Sequence, residues 1–220
     1  MADPNRQNWN RQFKILQDTW PKSDNFDTCI EICMNIHAMV HAAEISNDGL
    51  WSFEDELWGK LSEEAFRRVH KDEQSIAWKL WHSTRIEDIT MNILVAGDPQ
   101  IFHAGNWSGK MGTAVRDTGN AMNEKEIEAL SNSVDMQVLR EYRLAVGRKT
   151  RSIIKSLKAA ELKQKADASG LQRILDEGAV VEEARGIVDY WGKKTISGLL
   201  LMPATRHNLV HLNESMRLLG

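Results

Sequence analysis

The feature of this sequence that most constrains its fold is the spacing of its apolar residues, which recur about every three to four positions over long stretches. This spacing is typical of amphipathic helices, and no stretch alternates between apolar and polar residues long enough to build a sheet. We therefore expect an all-α fold, a four-helix bundle with long connections and extra short helices, in which residues 1–220 form a single domain. The long helices are expected from Asn25 or Asp27 to about Asn47, from Gln74 to Ala96, from Asp135 to Lys158, and from Pro203 onward.

Local signals predict where these helices begin and end. Asn47-Asp48-Gly49 is expected to stop the first long helix and Gly97 the second, because Asn and Gly adopt the left-handed conformation that ends helices. Pro203 is expected to open the last helix, since the first helical residue needs no N–H donor. The stretch 99–123 is rich in Gly, Asn, Ser and Thr, which predicts an irregular loop.

Composition and charge argue against several classes of protein. The net charge is −3 with 27% charged residues, so no basic excess predicts a nucleic-acid partner. No stretch approaches the ~18 apolar residues of a membrane helix, and Met1 to Asn5 lack the pattern of a signal peptide. The two cysteines, Cys29 and Cys33, are expected to be reduced thiols, and the cytoplasm is the expected compartment.

A pair of histidines in the last helix could carry chemistry. His207 and His211 are four residues apart, so both lie on one face of a helix and can bind one metal ion. A histidine pair with this spacing is more often solvated or part of the core than bound to a metal. His82 shares a helical face with Trp78 and Ile86, where a lone histidine is usually part of the core, but it could also supply a third ligand from a neighbouring helix.

Two segments around these histidines make the chain resemble the DinB/YfiT-like family of metal-dependent enzymes. The matching segments are Trp81 to Asp88, which begins with a Trp-His pair, and Ala204 to His211. The resemblance spans about Cys29 to Leu218 and depends on the order of the motifs, one histidine in the second long helix and a His-x-x-x-His pair in the fourth. It implies a bundle in which His82, His207 and His211 bind one divalent cation, most often zinc or nickel.

The resemblance also implies a range of activities. Family members include thiol-dependent transferases, isomerases and hydrolases, so we expect a metal-dependent enzyme that is either a thiol-dependent transferase or a hydrolase. Its partners would be a small-molecule substrate and, in the first case, a low-molecular-weight thiol. The alternative is a non-catalytic ligand- or partner-binding bundle with a structural metal. A homodimer is left open, and neither a nucleic acid nor a membrane is an expected partner.

A second histidine pair departs from the simpler members of that family, as does the long 99–123 connection. His37, His41 and Glu44 repeat the offsets of four and seven residues found at His207, His211 and Glu214, which place three polar groups on one helical face. One interpretation is that the repeated spacing is a coincidence and that these side chains line a polar pocket. The other is that the first long helix faces the metal and supplies a hydrogen-bonding partner, a fourth ligand or a general base, for which Glu44 and His41 are candidates. We expect one ion rather than two, because the two sets supply little negative charge against the repulsion of two dications.

Overall fold

The computed structural model describes residues 3–20, 25–71 and 73–219, and these form an all-α fold, as expected. The described residues contain no β-strand, only isolated bridges between His70 and Glu73 and between Lys165 and Thr195. The arrangement as a four-helix bundle stays a prediction. The α-helices are α1 (Pro4–Thr19), α2 (Phe26–Met39), α3 (Phe53–Trp58), α4 (Glu63–Arg67), α5 (Ile76–Asp88), α6 (Ile101–Ala104), α7 (Trp107–Met111), α8 (Glu124–Ser133), α9 (Met136–Ser156), α10 (Ala168–Asp176), α11 (Gly186–Gly192), α12 (Ile196–Leu201) and α13 (His207–Leu218). Two π-helical segments, Ile89–Ala96 and Met202–Arg206, continue α5 and α12, and single 3₁₀ turns cover Ala43–Ile45, Glu161–Lys163 and Glu182–Ala184.

Helix α5 is a core helix on which several other helices pack. All of its residues are buried, and it contacts α8, α9 and α13. Its start is capped by Ser75, whose hydroxyl accepts a hydrogen bond from the backbone N–H of Trp78 at 3.0 Å. The helical segment ends at Gly97, which has φ +71° in the left-handed region. The predicted helix from Gln74 to Ala96 is therefore confirmed, with its last eight residues in π geometry.

The last helical segment begins before Pro203, so the expectation that this proline opens it is wrong. Helix α12 starts at Ile196 and passes through the π-helical turn Met202–Arg206 into α13. A proline inside a regular α-helix removes one hydrogen bond and its ring clashes with the carbonyl four residues earlier. The wider π turn occurs at this point, and it allows the helix to continue to His207, the first residue of α13.

The first long helix is shorter than expected. Helix α2 ends at Met39, and the chain continues through the 3₁₀ turn Ala43–Ile45. Asn47 and Gly49 do adopt positive φ angles of 56° and 65°, but they shape the connection rather than the end of the helix. The helical face predicted to join His37 to Glu44 therefore does not exist beyond Met39.

The connection from 99 to 123 is more ordered than the predicted loop. It contains the short helices α6 and α7, and Asp88 at the end of α5 accepts hydrogen bonds from the backbone N–H groups of Ile101 and Phe102, both at 2.9 Å. The carboxylate thereby accepts hydrogen bonds from backbone N–H groups at the start of α6 that have no acceptor within the helix. The next helix, α8, begins directly after this connection, with a capping box between Asn123 and Glu126.

The buried apolar residues form a hydrophobic cluster that includes residues of the long helices and of the 99–123 connection. Helix α9, at 21 residues, is the longest helix in the described part of the chain, and its buried positions, which include Arg143 and Arg151, recur every three or four residues. Among the helices in the described part of the chain, none is both long enough and apolar enough to cross a lipid bilayer.

Candidate metal centre

Three histidines from two packed helices converge in the structure. His82 lies on α5, and His207 and His211 lie one turn apart on α13, which packs directly against α5. Three ring nitrogens, one from each histidine, lie within 4.8 Å of one another. The ring centroid of His82 lies 5.0 Å from that of His207 and 5.0 Å from that of His211. The structure therefore brings the predicted triad together in an arrangement that is geometrically able to hold a metal ion.

Two of these rings are oriented by hydrogen bonds from Nδ1. His82 Nδ1 donates to the carbonyl oxygen of Thr118 at 2.7 Å, and His211 Nδ1 donates to Oε2 of Glu214 at 2.9 Å. With its proton on Nδ1, a neutral imidazole has a free lone pair on Nε2, which is the form that binds a metal. His211 Nε2 lies 3.1 Å from His207 Nε2. Nδ1 of His207 is buried and has no hydrogen-bond partner among the described residues.

Burial keeps His82 and His207 in their neutral form. Burial, and next the proximity of His211, lower the pKa of His82 to about 3. The same two causes hold the pKa of His207 well below its ordinary value. The hydrogen bond from His211 is the main reason that the pKa of Glu214 falls to about 2, and Lys79 Nζ donates to the same carboxylate at 3.2 Å. Neutral imidazoles beside a fixed carboxylate form a suitable ligand set at ordinary pH.

Residues 117–119 of the 99–123 connection contact α5 at and beside His82. Trp78 stacks on His82 with ring centroids 4.4 Å apart and 9° between the planes. The same indole donates from Nε1 to the carbonyl oxygen of Gly119 at 3.2 Å, and Trp81 Nε1 donates to that of Asp117 at 3.1 Å. The backbone around Thr118 is therefore anchored to α5 by two indoles as well as by the imidazole.

A small cavity borders the triad at His207. Its volume is about 130 Å³, and apart from His207 it is lined by Ile86, Ile187, Tyr190, Trp191, Met202 and Pro203. The side chain of His211 is 12% exposed, whereas His82 is buried. The triad thus has a wholly buried member and two members closer to solvent.

A second buried cluster joins α2 to α5. His37 Nε2 lies 3.0 Å from Oε1 of Glu87, and His41 Nε2 lies 3.0 Å from its Oε2. Asn208, next to His207 on α13, donates from Nδ2 to the same Oε2 at 2.7 Å. Ligand atoms of His37, His41 and Glu87 also lie within 4.8 Å of one another, so this cluster too is geometrically able to hold a metal ion.

The hydrogen bonding of the second cluster differs from that of the triad. His37 Nδ1 is buried without a partner among the described residues, so the neutral ring carries its proton on Nε2 and donates to Glu87. His41 Nδ1 lies 3.7 Å from Oε2 of Glu54, beyond hydrogen-bond distance. Burial raises the pKa of Glu87, but the charge of His41 and the hydrogen bonds from both histidines outweigh it and hold that pKa well below its ordinary value. The carboxylate is therefore ionised and satisfied by donors from the protein itself.

Glu44 does not join either group of histidines, so its interpretation as a general base or pocket residue is wrong. Because α2 ends at Met39, Glu44 lies in the following 3₁₀ turn, where its side chain is 54% exposed. Arg148 on α9 donates to its carboxylate at 2.6 Å. His41, the other candidate, is buried in the second cluster beside Glu87.

The carboxylate that does face His37 and His41 is Glu87, which periodicity did not single out. It lies five residues after His82 on α5, and five residues turn a helix by about 140°, so the two side chains face different neighbours. A sequence signal was present, because Glu87 is a charged residue between Ile86 and Ile89 in a buried segment. A charged residue in a buried segment needs a polar partner, but the sequence does not show which residue that partner is.

No family model matches the sequence, and the search of curated proteins found no match.

Proposed function

We propose that this protein is a divalent-metal-dependent enzyme whose ion is held by His82, His207 and His211. The observation that supports this best is the hydrogen bonding of two rings, since Thr118 and Glu214 accept their Nδ1 protons and leave both Nε2 atoms for the ion. Imidazole ligands suit zinc and nickel, which are the metals we expect. The resemblance to DinB/YfiT-like enzymes agrees with this proposal and itself stays a prediction.

The donor set fits a catalytic rather than a structural site. The described residues that could hold an ion here are three histidines, without a cysteine or a fourth protein ligand, and structural zinc sites usually have four protein ligands. An ion bound by these three residues would supply Lewis-acid chemistry, polarising a substrate oxygen or making a bound water molecule or thiol more acidic.

The residues around the triad have separate roles in this proposal. The carbonyl of Thr118 and the carboxylate of Glu214 orient two rings, and Lys79 balances the charge of Glu214 through its contact at 3.2 Å. Trp78 covers one face of His82 and excludes water from it. These contacts reduce the motion of the ligands, which a metal site needs for high affinity.

The reaction that these features support is the attack of a small nucleophile on an electrophilic substrate. With water as the nucleophile the bond to the leaving group is hydrolysed. With a low-molecular-weight thiol the attacked group passes to the sulfur, and the leaving group departs with the proton of the thiol. The partial exposure of His211 and the cavity of about 130 Å³ at His207 suit a small-molecule substrate. A cytoplasmic location and the lack of a nucleic-acid partner stay predictions from composition.

The first experiment measures metal binding by the full chain. Protein purified without added metal is analysed for its metal content, and EDTA-treated protein is titrated with zinc and with nickel. The variants His82→Ala, His207→Ala and His211→Ala are each expected to lose tight binding. His103→Ala is the matched control, because His103 is 39% exposed on α6 and outside both groups of histidines. Unchanged binding in the three triad variants would contradict the proposal.

The second experiment measures turnover on two panels. Activated esters and amides are tested without thiol, and electrophiles are tested with several cellular thiols. Turnover is expected to require the metal and to be lost in His207→Ala. Activity that persists in that variant would exclude the triad as the reaction centre. Metal-free protein that unfolds, with no turnover on either panel, would favour the alternative of a non-catalytic bundle with a structural metal.

A further inference from the structure

The cavity at His207 has walls that restrict what it can bind. It lies between α5, α11 and the π-helical turn Met202–Arg206, and its volume is about 130 Å³. Its lining is mainly aliphatic and aromatic, and it includes no Asp, Glu, Lys or Arg side chain. Tyr190, at 41% exposure, places part of this wall at the solvent boundary.

The size and chemistry of this cavity indicate one class of ligand group. Its volume is close to the roughly 150 Å³ of an engineered apolar cavity in another protein that binds benzene. A charged group would lose its hydration here without finding an opposite charge, so an uncharged group is favoured. A phenyl-sized ring or a branched aliphatic chain fits both conditions.

We propose that this cavity binds a small, uncharged apolar group of the substrate and thereby places the reacting atoms of the substrate at the metal triad. The link is His207, whose imidazole belongs to the triad and also forms part of the cavity wall. A group bound in the cavity therefore contacts a ring of the triad. The placement of the reacting atoms rests on the proposed function, whereas the binding of the apolar group does not.

The cavity is tested first in metal-free, full-length protein. Benzyl alcohol is the probe and glycerol is the polar control, with binding followed by saturation-transfer NMR and by the ring ¹H–¹⁵N signals of the histidines. Benzyl alcohol is expected to bind and to shift the signals of His207 but not those of His103, and glycerol is expected to do neither. If wild-type protein does not bind benzyl alcohol, or if His207 does not respond, the proposal is overturned.

Substitutions at Ile187 test whether the probe occupies this cavity. Ile187→Trp places a bulky indole in a partly exposed wall position and is expected to weaken benzyl alcohol binding by about tenfold or more. Ile15→Trp is the matched control, since Ile15 is 43% exposed on α1, and it is expected to bind as wild type does. Should Ile187→Trp not fold, Ile187→Ala is used, and it is expected to favour 2-naphthylmethanol over benzyl alcohol relative to wild type. Equal binding in wild type and the Ile187 variants would overturn the proposal.

The link to the metal is tested with zinc-loaded protein and two hydroxamic acids. Benzohydroxamate is expected to bind about tenfold tighter than acetohydroxamate, because its ring enters the cavity while its hydroxamate meets the ion. Ile187→Trp is expected to abolish this preference, and Ile15→Trp is expected to keep it. Equal binding of both acids by wild type would overturn the link. Protein that binds benzyl alcohol at His207 but no zinc would overturn the proposed function and leave the cavity as a ligand site.

Discussion

His82 donates from Nδ1 to the backbone carbonyl of Thr118 at 2.7 Å, so a connection rather than a helix sets the orientation of the buried ring of the triad. The acceptor is a main-chain atom, and no substitution of the Thr118 side chain removes it. The hydrogen bond can be changed only by moving the backbone. The neighbouring residue, Gly119, makes such a test possible.

We expect Gly119→Ala to weaken zinc binding by about tenfold or more, within the range found when groups that orient metal ligands are removed. Gly119 has φ +75°, and a Cβ there would lie 2.8 Å from Nε1 of Trp78. Either the backbone beside the carbonyl that holds His82 or the Trp78 ring that stacks on His82 must therefore shift. Competition with a zinc chelator measures the affinity.

Gly178→Ala is the matched control for this prediction. Gly178 also has a positive φ, +63°, but a Cβ there would have no atom within 4 Å. We expect it to lower stability by about 1 kcal/mol through backbone strain and to leave the zinc affinity unchanged. Equal zinc affinities in the two variants would contradict the role assigned to the Thr118 carbonyl.

Glu214→Gln is expected to lower zinc affinity by about tenfold, since an amide polarises the imidazole of His211 less than a carboxylate does. The substitution also leaves Lys79 without its negative partner at 3.2 Å. Glu44→Gln is the control, because Glu44 pairs with Arg148 on the surface. Chelator competition on both variants is the measurement, and a loss in Glu44→Gln as large as that in Glu214→Gln would argue against the triad.

The metal-free protein is expected to lose stability as pH falls from about 6.5 to about 4. Unfolded histidine has a pKa near 6.5, whereas burial lowers the pKa of His37 to about 4 and that of His82 to about 3. The unfolded chain therefore binds protons in this window that the folded chain does not, and the free energy of unfolding decreases by an amount on the order of a few kcal/mol. Urea unfolding in EDTA at several pH values measures this change. A free energy of unfolding that stays constant or rises toward pH 4.5 would show that these rings are not neutral in the folded protein.

We expect one metal ion per chain, with the second cluster stabilised by its own hydrogen bonds. Glu87→Gln replaces a carboxylate oxygen that accepts hydrogen bonds with an N–H₂ group that faces other donors. It is therefore expected to lower the free energy of unfolding by about 1–3 kcal/mol. His41→Ala should leave the zinc stoichiometry at one. Urea unfolding and elemental analysis provide the two readouts. A stoichiometry of two that falls to one in His41→Ala would place a second ion at His37, His41 and Glu87.

The parts of the fold that depend on neighbours in sequence were open to prediction. The extent of the helix from Gln74 to Ala96, its end at Gly97 and the cap at Asn123 all follow from residues within one or two turns. The relation of His207 to His211 is equally local, because residues four apart on a helix lie on one face in any tertiary context. That is why spacing alone could place two of the three candidate ligands, His207 and His211, on one face.

The partners of these residues were decided by tertiary structure. Thr118 reaches His82 from 36 residues away, and Glu87 rather than Glu44 meets His37 and His41, 50 and 46 residues away. Helical periodicity predicts the face on which a side chain lies but contains no information on which element covers that face. A buried polar atom pairs with whichever donor or acceptor the packing brings within about 3 Å, and that choice depends on how α2, α5, α13 and the 99–123 connection pack together.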